Sequence, residues 1–169
     1  MNKIESILVV IKPDGMSRKL VGPILMKLSD TGAELLAIRL LRVSRELAEA
    51  HYQHIKGQPF YEITIRHLLG EYHPQKKVLA MVYRREGAVK KFRILTGATN
   101  PQEADAQSIR GLYGHVTKDG LFENIIHVSS DPKEAEREIK LWFEPADINE
   151  EIFPTKDIKL NSISKKVWA

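Results

Sequence analysis

The chain has 169 residues, of which 43% are hydrophobic and 28% charged, with a formal net charge of +4. This size and composition are typical of one globular domain with its own core. The chain has no cysteine, which excludes disulfides, thiolate chemistry and zinc sites built on cysteine. No apolar run approaches the roughly 20 residues that span a membrane, so we expect a cytoplasmic protein without a membrane partner. The modest positive charge suits phosphate-bearing ligands but does not require nucleic acid.

Four apolar runs predict β-strands, and helical patterns lie between them. The strands are predicted at residues 7–11, 34–43, 78–83 and 124–128. Helices are predicted at residues 22–30, from residue 44 onward, after residue 60 up to residue 70, at 88–95 and at 131–143. This order predicts an α+β domain of the ferredoxin-like type, βαββαβ, with added helices and a four-stranded antiparallel sheet covered on one face.

The strongest chemical signal is His127, at the end of the fourth predicted strand. The helix that follows begins with Asp131 as its N-cap and Pro132 at its first position. If this helix folds back over the sheet, Glu138 could meet the imidazole, orient it and tune its basicity. A strand-end histidine taken alone more often only satisfies a backbone group, so that alternative stays open here.

Three cations lie at the ends of elements or in loops. Lys12 follows the first strand and directly precedes a predicted turn at residues 13–15. Arg93 lies near the end of a helix, and Arg110 lies in the long segment 96–123, which is predicted to be irregular. Loops of that length are usually functional or disordered. The chain lacks both G-x-x-x-x-G-K-[ST] and G-x-G-x-x-G, so a phosphate site would be built from side-chain cations. A neutral histidine among them could carry a phosphoryl group covalently. Taken by itself, Lys12 is more commonly interpreted as a solvated lysine in a loop, and this alternative stays open.

A protein-held metal is not predicted. His51 and His54 are close enough in sequence to share a metal ion, but no third ligand follows with suitable spacing.

Five short motifs, in order along the chain, together resemble the nucleoside diphosphate kinase family. They are KPDG at 12–15, TNP at 99–101, IRG at 109–111, NIIH at 124–127 and EREIKLWF at 136–143. Each is weak alone, but the ordered set is highly specific. The resemblance implies a ferredoxin-like core, a homo-oligomer, usually a hexamer, and ping-pong transfer of a γ-phosphoryl group from a nucleoside triphosphate to a diphosphate through a phosphohistidine. It would occupy residues 1–148, leaving 149–169 as a tail that could pack on a neighbouring subunit.

Carried over to this sequence, the resemblance implies roles for ten residues. His127 would be the nucleophile, supported by Glu138 and Ser129, and Phe60 would stack on the base. The other contacts to the nucleotide would come from Lys12 on phosphate and ribose, from Arg93, Thr99 and Arg110 on the phosphates with Tyr52 nearby, and from Asn124 on the sugar. Mg²⁺ would arrive with the nucleotide and bridge its phosphates.

The sequence departs from the family pattern at several places. Val128 replaces the usual glycine after the histidine, and Thr64 stands where an aliphatic residue often helps to hold the base. The segments 70–77 and 114–123 look longer than in compact members of the family, and the second could reshape the rim of the site.

Two other functions remain possible at this point. One is a non-catalytic family member that only senses nucleotides or binds a partner, which the full set of carried-over residues argues against. The other is a nucleic-acid-binding ferredoxin-like domain, which would need exposed aromatic side chains on adjacent strands. The predicted strands are aliphatic on both faces instead.

Overall fold

The computed structural model describes residues 3–160 and 163–168. The strands are β1 (Ile4–Ile11), β2 (Glu34–Leu41), β3 (Val78–Glu86), β4 (His115–Val116), β5 (Phe122–Glu123), β6 (Ile126–Val128), β7 (Thr155–Leu160) and β8 (Ile163–Trp168). The α-helices are α1 (Pro13–Ser17), α2 (Val21–Ser29), α3 (Arg45–His51), α4 (Tyr61–Leu68), α5 (Ala88–Thr96), α6 (Ile109–Tyr113) and α7 (Pro132–Trp142). Short 3₁₀ helices lie at Gln53–Ile55, Pro101–Glu103 and Pro145–Asp147. None of the described helices is both long and apolar enough to cross a membrane.

The main sheet has four strands in the order β2-β3-β1-β6, and every neighbouring pair is antiparallel. This is the predicted ferredoxin-like arrangement, which is therefore confirmed. Strand β1 lies between β3 and β6, and its residue Val10 faces His127 across the β1–β6 pair. The candidate nucleophile thus lies on a short edge strand, next to β1, whose residues 7–11 are all buried.

Helices cover both faces of this sheet. On one face Ile7 and Val9 pack against Phe92 of α5 and neighbouring side chains of α2. On the other face Leu8 and Val10 pack against side chains of α3, α4 and α7. The prediction of a sheet covered on one face was wrong, because the added helices bring a second apolar layer. No open platform for stacked bases remains on the faces of the described sheet, which removes the main support for a nucleic-acid-binding domain.

Strand β2 is the other edge of the sheet and ends at Leu41, two residues before the predicted end. Within the described part of the chain it pairs only with β3, and its register is irregular between Leu35 and Ala37. Leu35, Ile38 and Leu40 are 43%, 50% and 57% exposed. This strand, predicted to be aliphatic on both faces, is therefore only partly buried, since β2 lies at the margin of both helical layers.

Three short local elements escaped the sequence patterns. Helix α1 forms where a turn was predicted, and segment 96–123 contains α6 and the β4–β5 hairpin rather than irregular chain only. The hydroxyl of Ser108 accepts a hydrogen bond from the Gly111 amide and so caps α6. Helices of five residues and strands of two are too short to show a hydrophobic period.

The described part of the tail folds back on its own chain. Strands β7 and β8 form an antiparallel hairpin. The indole of Trp168 donates a hydrogen bond to the carbonyl of Phe143 at 2.9 Å, and its ring centre lies 5.9 Å from that of Phe153. The hairpin thus packs near the end of α7, while contact of the tail with a neighbouring subunit stays a prediction.

Candidate active site

The loop after β1 holds the backbone just before His127. The amide of Lys12 donates to the carbonyl of Ile125 at 2.8 Å, and the amide of Ile125 donates to Oδ2 of Asp14, also at 2.8 Å. Ile125 has a φ of +68°, a conformation that β-branched residues rarely adopt. Strand β6 consequently begins at Ile126 and not at residue 124 as predicted. These two hydrogen bonds fix the position from which the histidine projects.

Glycine is required beside this backbone. A Cβ atom on Gly15 would lie 2.9 Å from side-chain carbons of both Ile11 and Ile125. Asp14 is fully buried, and burial would raise its pKa, but Lys12, His67 and the amide hydrogen bonds outweigh burial and lower it. Sequence analysis predicted only a turn at Asp14, and the order Pro-Asp-Gly directly after a buried strand is the one signal that could have marked this residue.

The predicted contact between His127 and Glu138 is present. Nε2 of His127 lies 3.0 Å from Oε2 of Glu138. The hydroxyl of Ser129 donates to the same carboxylate oxygen at 2.6 Å and accepts a hydrogen bond from the Leu8 amide at 3.3 Å. This contact assigns the ring proton to Nε2, because a carboxylate can only accept, and leaves the lone pair on Nδ1.

Glu138 is 2% exposed but ionised at neutral pH. Burial would raise its pKa, yet the charge and hydrogen bond of His127, followed by His51 and Ser129, lower it to about 2. The carboxylate is therefore a fixed negative charge behind the imidazole.

His51 packs against the imidazole of His127 from the side. Its ring centre lies 4.4 Å from that of His127 at a steep angle, and its Nδ1 accepts a hydrogen bond from the Trp142 indole at 3.2 Å. Burial and the neighbouring His127 lower its pKa well below 6.5, so it stays neutral. His51 does not share a site with His54. The sequence contained no signal for its contact with His127, since the two residues are distant along the chain.

Arg110 is anchored next to the histidine. Its guanidinium donates to the carbonyls of Ile126 at 2.8 Å and Gly97 at 3.0 Å. Burial lowers its pKa to about 10, which leaves it charged at neutral pH. Lys12 is also buried, and burial lowers the pKa of its ammonium, which lies 4.0 Å from the Asp14 carboxylate. Arg93 is exposed and lines the same cleft.

A single cleft connects these groups to an aromatic pocket. Its cationic end, a cavity of about 360 Å³, is lined by Arg93, Arg110, His127 and Glu138. Its apolar end, of about 780 Å³, is lined by Phe60 and other apolar side chains. The two ends share Lys12, Tyr52, His54, Thr99 and Asn124. Nine of the ten predicted site residues thus line the cleft, and Ser129 lies buried behind Glu138.

The departures from the family pattern have clear positions. The hydroxyl of Thr64 donates to the carbonyl of Phe60 at 2.9 Å, so it is already used within its own helix. Residues 119–122, within the longer segment 114–123, line the apolar end, and this segment does form part of the rim. Val128 is 5% exposed and packs in the core.

Asn124, one of the predicted site residues, contacts the segment that follows α5. Its side-chain amide donates a hydrogen bond to the carbonyl of Thr99 at 2.9 Å.

A ferredoxin-like sheet that presents an oriented histidine to two arginines across a deep cleft defines a histidine-dependent phosphotransferase. The family model for nucleoside diphosphate kinase matches residues 5–148. A nucleoside diphosphate kinase of Pyrococcus furiosus is 39% identical over 150 residues, 89% of each chain. One from Moorella thermoacetica is 41% identical over 145 residues, 86% of this chain and 98% of that protein.

Solved structures agree. A halophilic nucleoside diphosphate kinase from Halobacterium salinarum, in complex with CDP, superimposes with a TM-score of 0.79 at 33% identity over 88% of this chain and 93% of that one. A transition-state mimic of the Borrelia burgdorferi enzyme with vanadate and ADP gives 0.78 at 26% identity over 87% and 91%. The chain belongs to the nucleoside diphosphate kinase family. It is a phosphotransferase that moves the γ-phosphoryl group of a nucleoside triphosphate to a nucleoside diphosphate, by a ping-pong mechanism through a phosphohistidine.

Proposed function

We propose that Nδ1 of His127 is the atom that carries the phosphoryl group. The observation that carries this proposal is the hydrogen bond from Nε2 to Glu138, which leaves only Nδ1 as a nucleophile. Nδ1 attacks the γ-phosphorus, an N–P bond forms, and the bridging oxygen leaves with the bonding electrons as the β-phosphate of the product diphosphate. A β-phosphate oxygen of the second nucleotide then attacks the phosphorus, and the N–P electrons return to the ring.

Glu138 and Ser129 act as positioning residues for this step. Phosphorylation at Nδ1 places positive charge on a ring that still carries its Nε2 proton. The ionised Glu138 stabilises this charge at a distance of 3.0 Å, and the hydroxyl of Ser129 keeps the carboxylate in place.

The cations of the cleft stabilise the phosphates. Arg110 is held by two carbonyls before any substrate binds, so its charge needs little reorganisation when the γ-phosphoryl group moves. Arg93 and Thr99 hold the remaining phosphate oxygens, with Tyr52 nearby. Lys12 lines both ends of the cleft, which suits contact with phosphate and ribose together, and Asn124 meets the sugar.

Mg²⁺ is proposed to enter with the nucleotide. Of the two carboxylates that line the cationic end, Glu138 is engaged by His127 and Ser129, and Glu134 by Arg137. The chain therefore offers few free oxygen ligands there, which fits an ion held mainly by phosphate oxygens and water. When bound, the ion neutralises negative charge on the phosphates, while the residues above bind and orient them.

Phe60 is proposed to stack on the base. It is 51% exposed at the apolar end, where Ile63 and Phe122 add further apolar surface. Stacking uses the π-face that every base has, and so provides affinity without much selectivity.

We also propose a homo-oligomer, with a hexamer as the expected size. Strand β2 exposes Leu35, Ile38 and Leu40 at an open sheet edge, and exposed apolar edges commonly mark an interface. A second copy of this chain is the proposed partner. Sedimentation should show that Ile38→Glu lowers the oligomer size, whereas the matched change Ile94→Glu, at a 66% exposed position of α5, leaves it unchanged. Equal behaviour of the two variants would rule out this surface.

Residues 1–148 are proposed as the catalytic domain, in line with the family match to 5–148, and 149–169 as an appended tail. The proposed location is the cytoplasm, where nucleotides are abundant, and nucleic acid is not a required partner.

The activity is tested by mixing ATP with GDP and Mg²⁺ and following the formation of GTP. Because the phosphoryl group rests on the enzyme between two half-reactions, double-reciprocal plots at several fixed GDP concentrations should be parallel. Intersecting lines would show that both nucleotides bind together and would contradict a covalent intermediate. An absence of GTP would favour the non-catalytic alternative.

A further inference from the structure

A second cluster of potential metal ligands lies outside the catalytic centre. The ligating atoms of His67, His73 and Glu123 are all within 4.8 Å of one another. Nε2 of His73 is 3.8 Å from Oε1 of Glu123, and the two imidazole centres are 5.2 Å apart. His67 belongs to α4, His73 to segment 70–77, and Glu123 ends β5. Three separate parts of the chain therefore meet at one point.

Two nitrogen atoms of the cluster lack the hydrogen-bond partners that buried polar atoms normally have. Among the described residues, no group hydrogen-bonds to Nε2 of His67 or to Nε2 of His73. His67 is only 3% exposed, and an unpaired polar atom at a buried position destabilises the fold. A cation between the two rings would satisfy both nitrogens.

The charges around the cluster favour a cation. Oδ2 of Asp14 lies 3.8 Å from Nε2 of His67, and Glu123 supplies a second carboxylate. Lys12 is the nearby opposing charge. On the outer side, Nε2 of the half-exposed His115 lies 3.4 Å from Oε2 of Glu123. The cluster thus extends from a buried histidine to the surface, which provides an entry path.

We propose that His67, His73 and Glu123 bind a divalent transition-metal ion, with Zn²⁺ as the best match. Two imidazole nitrogens and one carboxylate form a three-ligand set that zinc accepts, with a water in the fourth position. Mg²⁺ prefers six oxygen ligands and fits poorly. Bond lengths near 2.0–2.2 Å place tetrahedral ligand atoms roughly 3.3 Å apart, so shifts of about 1 Å would close the shell. The sequence analysis did not predict a metal ion held by the protein, and this proposal therefore departs from it.

The ion would join the two segments that look longer than in compact family members. Segment 70–77 contributes His73, whose amide donates to the carbonyl of Gly70 at 3.2 Å. Segment 114–123 contributes Glu123, which faces His115 across the β4–β5 pair, and its residues 119–122 line the apolar end of the cleft. Zinc binding would therefore stabilise the rim of the cleft rather than take part in phosphoryl transfer.

The test uses the full-length protein after treatment with a chelator. Co²⁺ serves as a spectroscopic probe, because tetrahedral Co²⁺ gives intense visible bands, and Zn²⁺ affinity is measured by competition with a coloured chelator. We expect one tetrahedral site per chain. His73→Gln should weaken Zn²⁺ binding by more than about 100-fold, because even the loss of an outer partner of a metal ligand costs about 10–100-fold. Glu123→Gln should act in the same direction.

Two further variants locate the site. His127, His51 and Glu138 form the other candidate cluster among the described residues, so His127→Gln must retain the proposed site. His54→Gln replaces an exposed histidine that belongs to neither cluster and serves as the matched control. Zn²⁺ should raise the melting temperature of the wild type but not of His73→Gln, whose fold is checked by its melting transition without metal. No binding by the wild type, binding that survives His73→Gln, or an equal loss in His54→Gln would overturn the proposal.

Discussion

The two ends of the cleft are built in opposite ways. At the cationic end Arg110 and Glu138 are buried, and each is held by at least two hydrogen bonds from the protein, as far as the described residues show. At the apolar end Phe60 is half exposed, and the hydroxyl of Thr64 is turned to its own helix. One end is rigid and specific in its geometry, whereas the other offers mostly surface.

This difference matches the roles that we propose for the two ends, phosphate binding at the cationic end and base stacking at the apolar end. Phosphoryl transfer depends on the placement of charge to within fractions of an ångström, and desolvated, preorganised groups provide it. Stacking on a base tolerates sliding and different ring sizes. The construction of the cleft therefore favours one reaction performed on many nucleotides.

Loss of the nucleophile should have the largest effect. We expect His127→Ala to lower turnover by more than about 10⁴-fold, the scale lost when a covalent nucleophile is removed. Incubation with γ-labelled ATP and Mg²⁺ should label the wild type with an acid-labile, alkali-stable phosphate. The exposed His115→Ala serves as the control and should label normally. Undiminished labelling of His127→Ala would place the phosphoryl group elsewhere.

Removal of Arg110 should come next. Arg110→Ala should lower kcat by about 10²–10³-fold, the loss typical of one preorganised charge, and should change KM less. Arg110→Lys keeps the charge but cannot donate to two carbonyls through a planar guanidinium, so it should recover only part of kcat. A raised KM at unchanged kcat would show that Arg110 binds substrate and transition state equally.

Glu138 should make stability depend on acid pH. Its folded pKa is lowered to about 2 from 4.5, so its contribution, on the order of 3 kcal/mol, is present above pH 4.5 and is lost as the pH falls toward 2. Glu138→Gln should be less stable near pH 7 and should lose less stability across this window. Urea unfolding at several pH values gives the slope of the unfolding free energy against pH for the wild type and for Glu138→Gln. Equal slopes would show that Glu138 is not the group responsible.

Truncation of Phe60 tests the apolar end. Phe60→Ala should weaken the binding of every nucleotide by about 1–3 kcal/mol. The loss should appear in KM rather than in kcat, because stacking is the same in the ground state and the transition state. Phe60→Tyr keeps the ring and should behave nearly as the wild type. A loss confined to one base would mean that Phe60 takes part in base selection.

The smallest effect should come from Thr64. Because its hydroxyl is hydrogen-bonded to the Phe60 carbonyl, Thr64→Val should change kcat/KM by less than about threefold. In the wild type, the kcat/KM values for the four ribonucleoside diphosphates should stay within about tenfold of one another, or ~1.4 kcal/mol. Purines should lead through their larger stacking area. A preference of several hundredfold for one base would show that Thr64 or segment 114–123 reads the base edge.

The sequence alone determined the order of the four strands of the main sheet and of the longer helices between them, and the identity of the chemical groups. The apolar run at residues 7–11 indicated a buried strand, and Asp131 followed by Pro132 indicated the start of a helix; both elements are present, because these signals are local. The ordered motifs then assigned the family.

The tertiary structure decided which groups meet. His51 reaches His127, Asp14 holds Ile125 at a positive φ, and His67 joins His73 and Glu123 through contacts between distant segments. It also decided that helices cover both faces of the sheet and leave the β2 edge open. A hydrophobic pattern specifies that a face is buried but not which helix buries it, since that depends on packing across the whole domain.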